Sequence, residues 1–256
     1  MLRTTGLTKR FGGLVAVDDV DFSLGEDELC SLIGLNGAGK TTFFNLLTGV
    51  LSPTEGTIEL RTGGEWRDVT ATPPHETAGL GLHRSYQITN VFPTSTVLEN
   101  VRVAVQAHGD GSANFWRNAG AFEAHVEEAR AILERVELAR YAETTAQNLS
   151  HGELRQLEVA IALAGDPDVL LLDEPNAGVS SESVGGIIDL IEDVASDHAV
   201  LLVEHNTDIV MRVSDRIVVL NQGSVIADGS PDDVRDDPDV QSAYLGGYES
   251  GREGVA

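Results

Sequence analysis

Nine consecutive residues, Gly34-Leu35-Asn36-Gly37-Ala38-Gly39-Lys40-Thr41-Thr42, combine glycines, one cation and two hydroxyls. That set suits a phosphate chain. Glycines let backbone N–H groups converge on phosphate oxygens without Cβ interference, Lys40 reaches the terminal phosphates, and the Thr41 hydroxyl can ligate Mg²⁺. The apolar run Leu29-Cys30-Ser31-Leu32-Ile33 comes just before, and Thr41 to Leu47 reads as a helix. The start of that helix adds partial positive charge. Strand, loop and helix in this order point to a nucleoside triphosphate, with Asn36, Gly37, Ala38, Gly39, Lys40, Thr41 and Thr42 as its contacts.

A second pair of reactive groups closes the run Val169-Leu170-Leu171-Leu172-Asp173-Glu174. In open α/β sheets, ligands sit beyond the carboxyl ends of strands. Asp173 is therefore placed to hold Mg²⁺ through water, and Glu174 to polarise a water aimed at the γ-phosphate. Two acids before Pro175 could equally open an ordinary loop; beside a phosphate loop the chemical role is the stronger reading. Leu149-Ser150-His151-Gly152-Glu153 precedes a helix running to about Ala164. Ser150 with Glu153 makes a capping box. A capped helix start with an exposed glycine also suits a phosphate, which makes Ser150 and Gly152 candidate contacts.

The elements that must hold these groups are legible as texture. Val15 to Phe22 alternates like a half-exposed antiparallel strand, and Thr57 to Leu60 reads as another strand after a turn. Val169–Leu172, Val200–Val203 and Ile217–Leu220 are short continuous apolar runs, as expected of strands buried on both faces. Between about Tyr86 and Ser150 the pattern turns helical, with Phe122, Val126, Ala129, Ile132, Leu133 and Val136 on one face. Residues 249–256 read as a frayed polar tail.

Composition bounds the rest. With 256 residues, 41% of them hydrophobic, the chain can bury a large α/β core. No apolar run reaches the roughly 18 residues of a spanning helix, and the first residues lack the apolar stretch of a signal peptide. The lone Cys30 reads as core packing. Forty-one acidic residues face 17 basic ones, a net charge of −24, and only Lys9 and Lys40 are lysines. Such a surface disfavours nucleic acid as a partner, because that affinity rests on neutralising phosphates. It is tolerable where salt shortens the Debye length to about 3 Å. The composition resembles that of proteins from salt-accumulating haloarchaea.

Loop, Leu-Ser-x-Gly-Glu segment and Asp-Glu strand, in this order, resemble an ABC-type ATPase. The resemblance covers roughly residues 2–248. It implies a P-loop NTPase (RecA-like) core with an antiparallel β subdomain, about 1–85 and 155–248, and an inserted α-helical subdomain, about 86–154. The usual signature is Leu-Ser-Gly-Gly-Gln, so His151 and Glu153 are departures, while Ser150 and Gly152 match. By position, Phe11 matches the aromatic that stacks on adenine, although it could be a plain core residue. Gln87 matches the glutamine that contacts Mg²⁺, and His205 the switch histidine at the γ-phosphate. Asn176-Ala177-Gly178 matches the loop that crosses the dimer interface. Within the family, Leu170 to Gly178 and the segments Val203-Glu204-His205-Asn206, Ser214-Asp215-Arg216-Ile217 and Ala243-Tyr244-Leu245-Gly246 resemble ATPases of branched-chain amino acid importers. The resemblance implies ATP and Mg²⁺, a second ATPase subunit (identical or sibling), transmembrane permease subunits, and a place on the cytoplasmic face of the plasma membrane. ATPases of urea or other solute transporters, and soluble ABC ATPases, are the alternatives.

Overall fold

The computed structural model describes residues 1–85, 91–108, 119–179 and 184–250. Two sheets form the frame. β1 (Leu2–Phe11), β2 (Leu14–Leu24), β4 (Glu55–Thr62) and β5 (Glu65–Asp68) make an antiparallel sheet of order β2-β1-β4-β5. The second sheet is built on β3 (Leu29–Ile33), β6 (Leu82–Ser85), β7 (Val169–Asp173), β8 (Ala199–Val203), β9 (Arg216–Asn221) and β10 (Ser224–Gly229). Its order is β10-β9-β3-β8-β7-β6, parallel except for the edge strand β10.

The apolar runs end up where their composition requires. All five residues of β3, β7 and β8 are buried, because helices cover one face of the parallel sheet and the antiparallel sheet packs near the other. Cys30 is fully buried, and burial pushes its thiol up to about 12, so packing is its role. The alternating strand β2 is half exposed, as its pattern predicts. β4 begins earlier than Thr57, where Glu55 pairs with Thr8 of β1, and reaches Thr62, where it pairs with Glu65 of β5. Gly56 permits that pairing: at its φ of 87° a Cβ would sit 2.4 Å from the Gly6 carbonyl oxygen.

α1 (Lys40–Leu47) follows β3 and lies between the sheets. Phe43 and Phe44 on it are buried, each stabilising the fold by about 2 kcal/mol relative to exposure. Phe43 meets Phe22 edge-on at 5.6 Å, which pins the phosphate-loop helix to the antiparallel sheet. α2 (Pro74–Gly79) leads into β6.

α3 (Val97–His108), α4 (Ala119–Arg135) and α5 (His151–Leu163) form the helical region, and their apolar faces share one cluster with α6 (Val184–Ala195). Ala129, Leu133 and Val136 are buried there as their spacing predicts. Phe122 is not: it is 55% exposed and carries the Arg102 guanidinium 4.8 Å from its ring centroid. α7 (Thr207–Val213), α8 (Pro231–Asp236) and α9 (Pro238–Ser250) pack around β9 and β10. α9 carries Glu249 and Ser250, which the sequence suggested as the start of the tail; 251–256 lie outside the described residues. Among the described residues, no helix is long and apolar enough to cross a membrane.

Candidate functional site

The loop between β3 and α1 is braced from outside. Gly223, at the β9–β10 turn, donates its N–H to the Ala38 carbonyl at 2.9 Å. Gly39 has a φ of 109°, and a Cβ there would lie 2.4 Å from the Ala16 carbonyl oxygen, so only glycine fits. Gly39 caps α1 without a side-chain hydrogen bond, and the first turn holds no acid. The leading N–H groups of α1 are thus left for an anion. Lys40 is 7% exposed, and its ammonium donates to the carbonyls of Gly34 at 2.6 Å and Leu35 at 3.2 Å. Burial lowers its pKa, while the charges of Glu174 and Asp173 pull the other way. A phosphate would supply the counter-charge that these carbonyls lack.

Across the cleft, β7 and β8 run in register with Asp173 opposite Val203. Beyond that pair the chain turns sharply. Glu174 takes a φ of 51°, in the left-handed region, and its N–H donates to the Val203 carbonyl at 2.8 Å. A non-glycine residue held there costs about 1 kcal/mol, strain of a kind that collects at functional sites. The turn brings Glu174 Oε1 to 2.6 Å from His205 Nε2. Asp173 is buried, and its carboxylate receives Arg84 Nη2 at 2.5 Å.

The structure gathers most of the expected groups. A cleft of ≈ 620 Å³ is lined by Phe11, the loop Asn36-Gly37-Ala38-Gly39-Lys40-Thr41-Thr42, Glu174 and His205. Phe11 is 46% exposed, so it is not a core residue, and the Lys9 ammonium lies 5.1 Å from its ring centroid. Asp173 lies just behind the cleft, close enough to act on the Lys40 charge. Ser150 and Gly152 are elsewhere, at the start of α5. The capping box is present: Glu153 Oε2 accepts from the Ser150 N–H at 2.8 Å, and Ser150 Oγ accepts from the Glu153 N–H at 3.4 Å. Gln87 lies outside the described residues.

Three participants escaped the sequence reading. Leu14, 65% exposed beside Phe11, lines the same cleft. Its signal was an apolar residue at a turn that a soluble strand would normally keep polar. Arg84 and Glu204 gave no local signal, because their partners are distant in sequence.

Residues 17–177 match the family described as ABC transporter. The chain belongs to that ABC transporter family. Residues 224–250 of this ABC chain match a further family, described as branched-chain amino acid ATP-binding cassette transporter. Among its relatives is the high-affinity branched-chain amino acid transport ATP-binding protein LivG of Salmonella typhimurium. The two are 42% identical over 253 residues, covering 96% of this chain and 98% of that one. A probable branched-chain amino acid transport ATP-binding protein LivG of Archaeoglobus fulgidus is 37% identical over 255 residues, covering 98% and 97%. Among solved structures, the ADP conformation of an ABC transporter's ATP-binding cassette superposes with a TM-score of 0.82 at 30% identity, covering 96% of this chain and 98% of that one. The ABC cassette fold expected from the motifs is the fold observed.

Proposed function

We propose that this chain is the ATP-hydrolysing subunit of an importer for branched-chain amino acids, acting with permease subunits at the membrane. The observation that carries it is the Glu174–His205 pair at 2.6 Å, lining the same cleft as the Lys40 loop. Phe11 stacks on the adenine, and the backbone of Asn36 to Thr42 cradles the phosphates. Lys40 leaves the loop carbonyls for the β- and γ-phosphates. Glu174 takes the proton of the attacking water, and His205 holds the carboxylate and meets the γ-phosphate. ATP and water leave as ADP and phosphate.

The oxygen donors Thr41 Oγ1 and Asp173, beside a phosphate site, fit Mg²⁺, which takes few protein ligands and completes its shell with phosphate and water. Thr41 and Asp173 would hold the ion, with Gln87 as a third contact. Bound there, it would neutralise charge developing on the phosphates. Ser150 and Gly152, which do not line the cleft of their own chain, serve the nucleotide of a second ATPase subunit.

Two substitutions test the chemistry. Lys40→Ala should abolish binding of a fluorescent ATP analogue. Glu174→Gln should keep binding and lose about 10²–10⁴-fold in hydrolysis. Near-normal binding by the first, or full turnover by the second, would refute the assignment. The cargo is tested with the membrane subunits that co-purify with this chain, reconstituted in vesicles. Uptake of leucine, isoleucine or valine, driven by ATP, is expected; uptake of urea in their place would overturn the amino-acid assignment.

A further inference from the structure

Glu204 stands between β8 and His205, and its side chain is 4% exposed. A buried carboxylate is costly unless its oxygens are satisfied. Here backbone N–H groups from two different loops satisfy them. Oε1 accepts from the Asn176 N–H at 2.8 Å, and Oε2 accepts from the His205 N–H at 3.1 Å. Asn176 lies two residues beyond Glu174, and His205 is the residue that grips Glu174. One carboxylate therefore brackets both ends of the Glu174–His205 contact.

Side-chain packing leaves one side of this loop open. A pocket of ≈ 240 Å³ borders it, lined by Leu35 and Asn36 of the phosphate loop, Glu204 and His205 themselves, Thr207 and Tyr244. On that side the loop is held by hydrogen bonds and not by side-chain contact. Those bonds are the Glu204 bracket and the Asn206 cap of α7.

We propose that Glu204 is a positioning residue for hydrolysis, tying the Asn176 loop to the His205 loop so that His205 keeps Glu174 aimed at its water. This rests on Glu174 being the base. Glu204 touches neither nucleotide nor water; it acts through His205.

The test uses the full chain and steady-state ATP hydrolysis. Glu204→Gln keeps the shape but turns an amide NH₂ toward one of the backbone donors. It should lower kcat about 10- to 10²-fold, the scale of a small misplacement of catalytic groups. KM and affinity for an ATP analogue should stay within about twofold, because the phosphate loop is untouched. Glu204→Asp, which keeps both acceptors but shortens the reach, should fall between wild type and Gln. It also supplies the measurement if the Gln variant folds poorly. The decisive readout is coupling. In a His205→Ala background, adding Glu204→Gln should cost less than threefold more, because the two act as a unit. A kcat within twofold of wild type for Glu204→Gln, or losses that simply multiply in the double variant, would overturn the proposal. Glu174→Gln in the same assay separates the two claims. If that variant keeps turnover, the base assignment fails; if it loses turnover while Glu204→Gln does not, only the positioning role fails.

Discussion

Arg84 and Asp173 form an ion pair at 2.5 Å with side chains only 6% and 8% exposed. They sit on adjacent parallel strands, β6 and β7, with Asp173 two residues beyond Leu171, the register partner of Arg84. Arg84 also donates from Nη1 to Asn45 Oδ1 at 2.8 Å and lies 5.3 Å from the Phe44 ring centroid. One guanidinium thus links the carboxylate at the end of β7 to the helix that follows the phosphate loop.

Breaking a buried pair leaves an uncompensated charge, which costs about 3 kcal/mol or more. Arg84→Met should therefore lower the melting temperature markedly in a thermal unfolding experiment. Arg84→Lys should recover only part of the loss, since an ammonium lacks the planar fork that serves Asp173 and Asn45 together. A Met variant as stable as wild type would mean the pair contributes nothing net.

Ser150 does not line the Lys40 cleft of its own chain, and this predicts a head-to-tail dimer with ATP between Lys40 of one subunit and Ser150 of the other. Glu174→Gln should accumulate that dimer with ATP, because it blocks the hydrolysis that would end the ATP-bound state. Adding Ser150→Arg should prevent closure and leave ATP binding by the single subunit nearly intact. Size-exclusion chromatography in high salt, with and without ATP, reads the difference. Equal dimer yield from both proteins would leave Ser150 as a helix cap only.

A net charge of −24 repels itself in dilute buffer. Melting temperature should rise steeply from low salt toward molar potassium chloride, as the Debye length contracts to about 3 Å. A flat or falling curve would remove the case for adaptation to salt.

Burial raises the Glu204 pKa above its ordinary 4.5, and the Glu174 charge pushes the same way. Between 4.5 and the raised value the folded state holds more protons than the unfolded one. Ionising Glu204 therefore costs stability as pH rises through that window. Glu204→Gln carries no such cost. Its stability relative to wild type should be most favourable near neutral pH and become less so as pH falls toward 4.5. Denaturant titrations of both proteins at several pH values would show it; a difference that does not change with pH would contradict the buried charge.

What was legible in advance was local. The phosphate loop, the Asp173-Glu174 ending of β7, the Ser150 capping box and the buried strands each lie in one contiguous stretch. Neighbouring residues, backbone geometry and hydrophobic period determine such features, whatever else the chain does. The branched-chain importer likeness was legible for the same reason, being carried by short contiguous motifs.

Tertiary structure alone decided the rest. The placement of β3 between β8 and β9 depends on crossovers that no single segment specifies. Phe11 is exposed in a cleft, and Phe122 carries an arginine instead of joining the core, because neighbouring elements set which side of each is covered. Arg84 meets Asp173 from 89 residues away, and Glu204 meets Asn176 from 28. A charge has no period and no fixed spacing to its partner. Its role exists only once the parallel strands bring their carboxyl ends side by side, where burial makes each pairing matter.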